Sequence, residues 1–230
     1  MKAQTMKKKT EVKPAETVQQ KPAYMQAWET FSAALKTRCE FVKTLEAEEI
    51  AQNKIKSPQK TREIQSAIKA IDEKTFAVVF EKMKTTDWFK VSDIIKGEHK
   101  SAHAGYIQTK TVQKFGQFLP FIAQNIFPTQ GNMRCALLAM VKYNDYLTVK
   151  EMIAVQSRVY AENADLFKMR EGMRAESGYT AGTASSQTGQ IRDLLRVLGL
   201  ADVRKSARDD VAKLNEQGIE LLHGLTLARQ

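Results

Sequence analysis

The sequence predicts a mainly α chain in which residues 131–230 fold as a helix-turn-helix closed by a two-stranded hairpin. Three observations predict it. Apolar residues recur every third or fourth position through most of the chain. Helix start and stop signals stand at Thr148-Val149-Lys150-Glu151 and at Gly199. Two short segments, 200–205 and 210–214, flank a basic turn at Ser206-Ala207-Arg208-Asp209.

Composition sets the frame. A chain of 230 residues with 43% hydrophobic content can build real cores. Its longest apolar runs, such as Phe76-Ala77-Val78-Val79-Phe80, fall far short of the roughly 20 residues that cross a bilayer. The basic start is not followed by the apolar stretch of a secretory signal, so the expectation is a cytoplasmic protein with no membrane partner. Cys39 and Cys135 are distant and sit beside apolar neighbours, which reads as two reduced thiols. The formal charge is +10 and the isoelectric point near 9.5. Residues 1–22 carry +4 of that excess and residues 76–130 carry +3, whereas 131–180 and 181–230 carry +1 each. Such a balance suits phosphate binding, an acidic surface or plain solubility.

Along the chain, residues 1–22 hold Lys7-Lys8-Lys9, Pro14 and Pro22 with little apolar content, and read as a disordered basic tail that is either passive or touches phosphates. From Tyr24, the residues Trp28, Phe31, Leu35, Cys39, Val42, Leu45 and Ile50 line one helical face for about seven turns. A second helix opens at Ser57-Pro58 and carries Ile64, Ile68 and Ile71 on a stripe. Residues 23–75 are thus a helical hairpin that packs on its own chain, or an arm that joins a homodimer through 24–50.

The most informative segment begins at Asn132. Met133, Leu137, Leu138 and Val141 form a stripe that Tyr143-Asn144-Asp145 breaks. Thr148 and Glu151 then match a capping box, in which each side chain satisfies the other's backbone amide. A third helix runs from Gln187 to Leu198 and stops at Gly199, with Ile191, Leu194, Leu195 and Leu198 as its core stripe. At about 100° per residue that stripe leaves Ser186, Gly189, Gln190, Arg192, Asp193 and Arg196 outward, a polar and basic face suited to a major groove. The hairpin that follows adds Arg204, Lys205 and Arg208.

This closing segment, Leu194 to Leu200, the basic hairpin and Leu214-Asn215-Glu216-Gln217-Gly218-Ile219-Glu220-Leu221-Leu222, resembles the end of many bacterial and archaeal winged helix-turn-helix regulators. There a recognition helix ending in Leu-Gly-Leu leads to a basic wing and a helix opened by Leu-Thr-x-x-Gly. Asn215 stands in place of the usual Thr and can also cap. The resemblance covers residues 132–225. It implies double-stranded DNA as partner, with Gln190, Arg192 and Arg196 reading bases, Ser186 on the same DNA-facing side, and Arg204, Lys205 and Arg208 meeting phosphates or the minor groove. One departure is the stretch 161–183, an insertion between the second and third helices with its own apolar set at Leu166, Met169 and Met173 beside Arg170.

The order repeats. Sliding the chain by 58 positions sets Met83–Ile95 against Val141–Ile153, and sliding by 79 sets Val112, Phe115, Leu119 and Phe121 against Ile191, Leu194, Leu198 and Leu200. Residues 76–130 are therefore expected to form a first helix-turn-helix unit, with Lys110, Gln113, Lys114 and Gln117 outward as phosphate or groove contacts. The tandem layout is similar to that of plasmid replication initiators.

Enzyme readings are weaker. Asp93, Glu98 and Lys100 make the outline of a metal-dependent nuclease site, but their spacing is cramped and the segment reads as helix and turn. His99 and His103 lack the flanking glutamate of a zinc protease and a nearby cysteine pair. No catalytic residue, metal or cofactor is assigned. The expectation is a sequence-selective double-stranded DNA-binding protein, a transcriptional regulator or replication initiator, with a protein-interaction adaptor as the alternative.

Overall fold

The computed structural model describes residues 21–97, 107–129, 131–157, 178–205 and 210–226. The basic tail up to residue 20, the 161–177 part of the insertion with Leu166, Met169, Arg170 and Met173, and the hairpin tip 206–209 lie outside the described residues. The elements are α1 (Ala23–Ala51), α2 (Gln59–Ala70), α3 (Glu73–Lys82), α4 (Trp88–Lys96), α5 (Thr109–Gln124), α6 (Gly131–Tyr143), β1 (Leu147–Thr148), α7 (Val149–Gln156), α8 (Ala181–Val197), β2 (Ala201–Lys205), β3 (Asp210–Leu214) and α9 (Glu216–His223). The fold is mainly helical with one small sheet.

The expected long helix is present, 29 residues in a single run. Its buried side is Phe31, Leu35, Arg38, Cys39, Val42 and Glu46, while Leu45 and Ile50 from the expected stripe are exposed. The face turns because α2 packs on α1 and is met through Glu46. Both carboxylate oxygens of Glu46 are used: Oε1 accepts from the Lys60 amide at 2.8 Å, and Oε2 accepts from the Thr61 amide at 2.8 Å and the Thr61 hydroxyl at 2.7 Å. The start expected from Ser57-Pro58 is corrected accordingly. Helix α2 begins at Gln59 with no side-chain cap from its own N-terminal residue, and a neighbouring helix supplies the acceptor that its orphan amides need. Burial by itself would push the Glu46 carboxyl up, but the Thr61 hydroxyl and the two amides outweigh it and hold the pKa below the ordinary value.

Phe31 lies in a ring cluster, 5.3 Å from Phe76, 5.5 Å from Trp88 and 6.0 Å from Phe115. Phe31 and Leu35 are fully enclosed by their own chain. The part of the 24–50 stripe formed by Phe31 and Leu35 is thus covered from within the chain, while Leu45 and Ile50 stay exposed. The other notable buried group on α1 is Arg38, whose guanidinium donates to the carbonyl of Gly97 at the end of α4 and, at 3.2 Å, to that of Ile107 just before α5. Helices α2 and α5 cross closely, since a Cβ at Gly116 would stand 2.4 Å from the Ala67 Cα.

Helices α3, α4 and α5 follow the same order as α6, α7 and α8, with local differences. Asp87 caps α4 by accepting from the Lys90 amide at 3.0 Å, so α4 starts a turn earlier than the alignment of Lys90 with Thr148 suggests. Helix α4 packs chiefly on α1, whereas α7 packs chiefly on α8. The two sets meet where α5 packs on α8, the Thr86 hydroxyl donates to the Leu198 carbonyl at 2.8 Å, and Thr226 pairs with Asn125 and Phe127. One cluster of buried side chains extends from Ala27 to Leu225.

In the second set, the capping box at Thr148 and Glu151 forms as the sequence predicts. The hairpin pairs Ala201 with Leu214 through Lys205 with Asp210. The two-residue strand β1, too short to be read from sequence, adds to β3 at Leu147–Ala212 and Thr148–Val211, giving antiparallel order β1-β3-β2. Gly199, at φ +71°, ends α8: its amide donates to Arg196 and the Leu200 amide to Leu195, satisfying carbonyls the helix leaves open. Asn215 caps α9 through the Gly218 amide at 2.9 Å, and its side-chain amide donates to the Gly199 carbonyl at 2.7 Å. A Cβ at Gly218 would stand 2.1 Å from the Leu200 carbonyl oxygen, so only glycine lets α9 approach the α8–β2 link this closely.

Candidate nucleic-acid interface

Helix α8 begins at Ala181, six residues before the expected Gln187, because the Thr180 hydroxyl caps it by accepting from the Thr183 amide at 3.3 Å. The expected core stripe is in place, with Ile191, Leu194, Leu195 and Leu198 all fully buried. The buried arc is wider than that stripe. Thr188 is also enclosed and receives the Gln156 side-chain amide from α7 at 2.8 Å, and Gln190 is 3% exposed. Gln190 points about 160° away from Thr188 around the helix, so the enclosed arc reaches round from the α7 side to the opposite flank.

The outward projection expected of Gln190 is therefore corrected. Its side-chain amide donates to the Ser186 hydroxyl at 3.0 Å within the helix, and its Oε1 is enclosed without a donor. A stripe of one isoleucine and three leucines places the core on one side, but α8 is enclosed over more of its circumference than its apolar residues announce. Ser186 is exposed, with Gly182, Thr183 and Ser185 beside it, and Gly189 has open space where a Cβ would stand. The outer face of the first half of α8 is thus small and uncharged.

Its second half is charged but internally paired. Arg192 Nη1 lies 3.1 Å from Asp210 Oδ2 on β3, and Arg196 Nε lies 3.8 Å from Asp193 Oδ1. The Asp193 carboxyl is pushed up, first by burial and also by Asp210, against the opposing pull of Arg196 and Arg192. On β2, Arg204 is exposed and its guanidinium lies over the Tyr146 ring at 4.5 Å. Lys205 closes β2 opposite Asp210, and Arg208 lies outside the described residues. Asp210 and Tyr146 were not among the expected site residues. The only signal for them is an acid at the mouth of a basic hairpin and an aromatic next to the capping box.

The four residues expected to face outward on α5 divide. Lys110 pairs with Glu63 on α2 at 3.1 Å, and Gln113 and Gln117 are half-buried, Gln117 with its Oε1 enclosed. Lys114 is buried, 4% exposed, which corrects its expected role as a surface contact. Burial, then repulsion from Lys110, draws its pKa down to about 8 against the opposing pull of Glu63. The cause is again packing: α5 is clasped by α2, α3 and α8.

Among the described residues no group of three or more histidine, cysteine, aspartate or glutamate side chains could hold a metal ion. Asp93 is exposed on α4, and Glu98, His99, Lys100 and His103 lie outside the described residues. Cys39 and Cys135 are both buried and are not joined by a disulfide. No helix among the described residues is long and apolar enough to cross a membrane. No protein-family model, curated protein or solved structure matches this chain.

Proposed function

We propose that residues 131–226 form a winged helix-turn-helix that binds double-stranded DNA with α8 in the major groove, in a transcriptional regulator or replication initiator acting at the nucleoid. One observation carries the reading. The outer face of α8 is small and polar from Gly182 through Ser185 and Ser186 to Gly189, where a groove demands close approach, and the part-buried guanidiniums of Arg192 and Arg196 follow beside the hairpin. The element order α6-β1-α7-α8-β2-β3 and the sheet order β1-β3-β2 are those expected of such a unit. Arg204, Lys205 and Arg208 meet phosphates or the minor groove. Ser186 and the two arginines replace the trio of Gln190, Arg192 and Arg196 as readers, since Gln190 is enclosed.

Retention of random duplexes by the full chain, followed by sequencing of the retained pool, tests this directly. Wild type should enrich a motif, and Arg192→Ala with Arg196→Ala should relax it, each good arginine–guanine fork being worth about 1–3 kcal/mol. An unenriched pool, or a motif indifferent to both changes, would remove α8 from the reading role. A second reading, a protein-interaction adaptor, draws on a specific observation: Arg192 and Arg196 both have carboxylate partners inside the chain. An adaptor leaves α8 indifferent to duplexes at any salt.

A further inference from the structure

The outer end of α8 and the foot of the hairpin hold four charges in alternation: Arg192, Asp193, Arg196 and Asp210. They cancel, so the helix face that would meet a polyanion presents no net charge of its own. Asp210 is placed for more than neutralisation. It forms, with Lys205, the last rung of the hairpin before residues 206–209, so its contact with Arg192 ties the outer part of the hairpin to the middle of α8.

The Arg192–Asp210 contact is close but poorly directed. Arg192 is largely enclosed, its side chain 17% exposed, and Asp210 more open at 37%. Although Nη1 stands 3.1 Å from the carboxylate, neither Nη1 nor Nε is aligned with an acceptor, and both are shut off from solvent. The guanidinium is therefore held by charge while part of its donor fork stays unused. Two parallel hydrogen bonds from an acceptor of matching geometry satisfy the fork better than Asp210 does. A single phosphate oxygen offers less advantage over a carboxylate already in place.

We propose that Asp210 is a specificity-determining residue of the DNA face, an internal competitor that holds Arg192 in this enclosed position against backbone phosphates and releases it, by rotation of the side chain outward, to a guanine edge presenting O6 and N7 together. This rests on the DNA reading above. Asp193 performs the same office for Arg196, at the longer distance of 3.8 Å. Discrimination then arises from suppression of non-specific binding as much as from the arginine–guanine fork itself.

The test is Asp210→Asn in the full chain, a change that keeps shape and removes charge. Affinity for arbitrary-sequence duplex at low salt should rise about two- to five-fold, since the Arg192–Asp210 contact is poorly directed and its loss is worth no more than a weak ion pair. The salt dependence should steepen by about one phosphate equivalent, and the enriched motif should broaden. Arg192→Ala should abolish the increase when combined with Asp210→Asn, a coupling that a merely structural role of Asp210 would not produce. If Asp210→Asn lowers the thermal midpoint, Asp193→Asn with Arg196→Ala makes the same comparison. Wild-type duplex binding with an unaltered Asp210→Asn variant, or an increase that survives Arg192→Ala, would overturn the competitor role while leaving the DNA reading intact. Absence of duplex binding by wild type and variants alike at low salt would overturn both.

Discussion

Replacing Lys114 with methionine should stabilise this protein, and the gain should vanish as the pH is raised. Lys114 is 4% exposed on α5, and its nearest charges are Lys110, which repels it, and Glu63, which Lys110 already engages at 3.1 Å. Burial leads these effects in drawing its pKa from 10.5 to about 8. In the unfolded chain the amine keeps its ordinary pKa, so between about pH 8 and 10.5 the unfolded state binds a proton that the folded state does not. Stability must therefore rise with pH across that window, and below it the full cost of burying the ammonium is present. At 1.36 kcal/mol per unit the cost at neutral pH is at most about 3.5 kcal/mol. Methionine fills a similar volume without charge. Urea unfolding of wild type and Lys114→Met at several pH values from about 7 to about 10 measures the difference directly. Cys39, whose thiol burial pushes up, acts in the opposite sense but equally in both proteins, and cancels. A variant no more stable than wild type at neutral pH, with the same slope, would show that the ammonium is hydrated where it stands and that the burial argument is wrong.

Three further outcomes are expected. Gly218→Ala should destabilise strongly, because the added Cβ meets the Leu200 carbonyl oxygen at 2.1 Å and backbone on both sides must shift; a thermal midpoint within a degree or so of wild type would contradict the close approach. Phe31→Ala should cost about 3–5 kcal/mol without altering the sedimenting mass, since Phe31 is buried within its own chain, and a change of mass would restore α1 to an intermolecular seam. Glu46→Gln should lose about 1–3 kcal/mol at neutral pH. Because the Glu46 pKa is held below its ordinary value, that contribution is present above about pH 4.5 and lost as the pH falls through the depressed value, so the variant's stability should converge on wild type in acid.

Much of the architecture was legible because its signals are local. The reciprocal caps at Thr148 and Glu151, the left-handed Gly199, the cap at Asn215 and the alternating strands around the hairpin each involve residues a few positions apart, and each is where the sequence predicts it. The stripe Ile191, Leu194, Leu195 and Leu198 identifies the inner side of α8 for the same reason: 3.6-residue periodicity is a property of one helix alone. What periodicity cannot convey is how many neighbours a helix has. Gln190 and Lys114 are polar and lie off the apolar stripes of α8 and α5, yet the folded chain encloses both. Likewise, α2 is capped by Glu46 from another helix and Arg192 is paired with Asp210 from the hairpin, contacts separated by 14 or more positions in the chain. The sequence by itself determined the helical class, the hairpin and the inner side of α8, because backbone hydrogen bonding and hydrophobic alternation act between near neighbours. Only the tertiary structure decided which polar side chains remain free to meet a partner, because that depends on which surfaces the folded chain brings against one another.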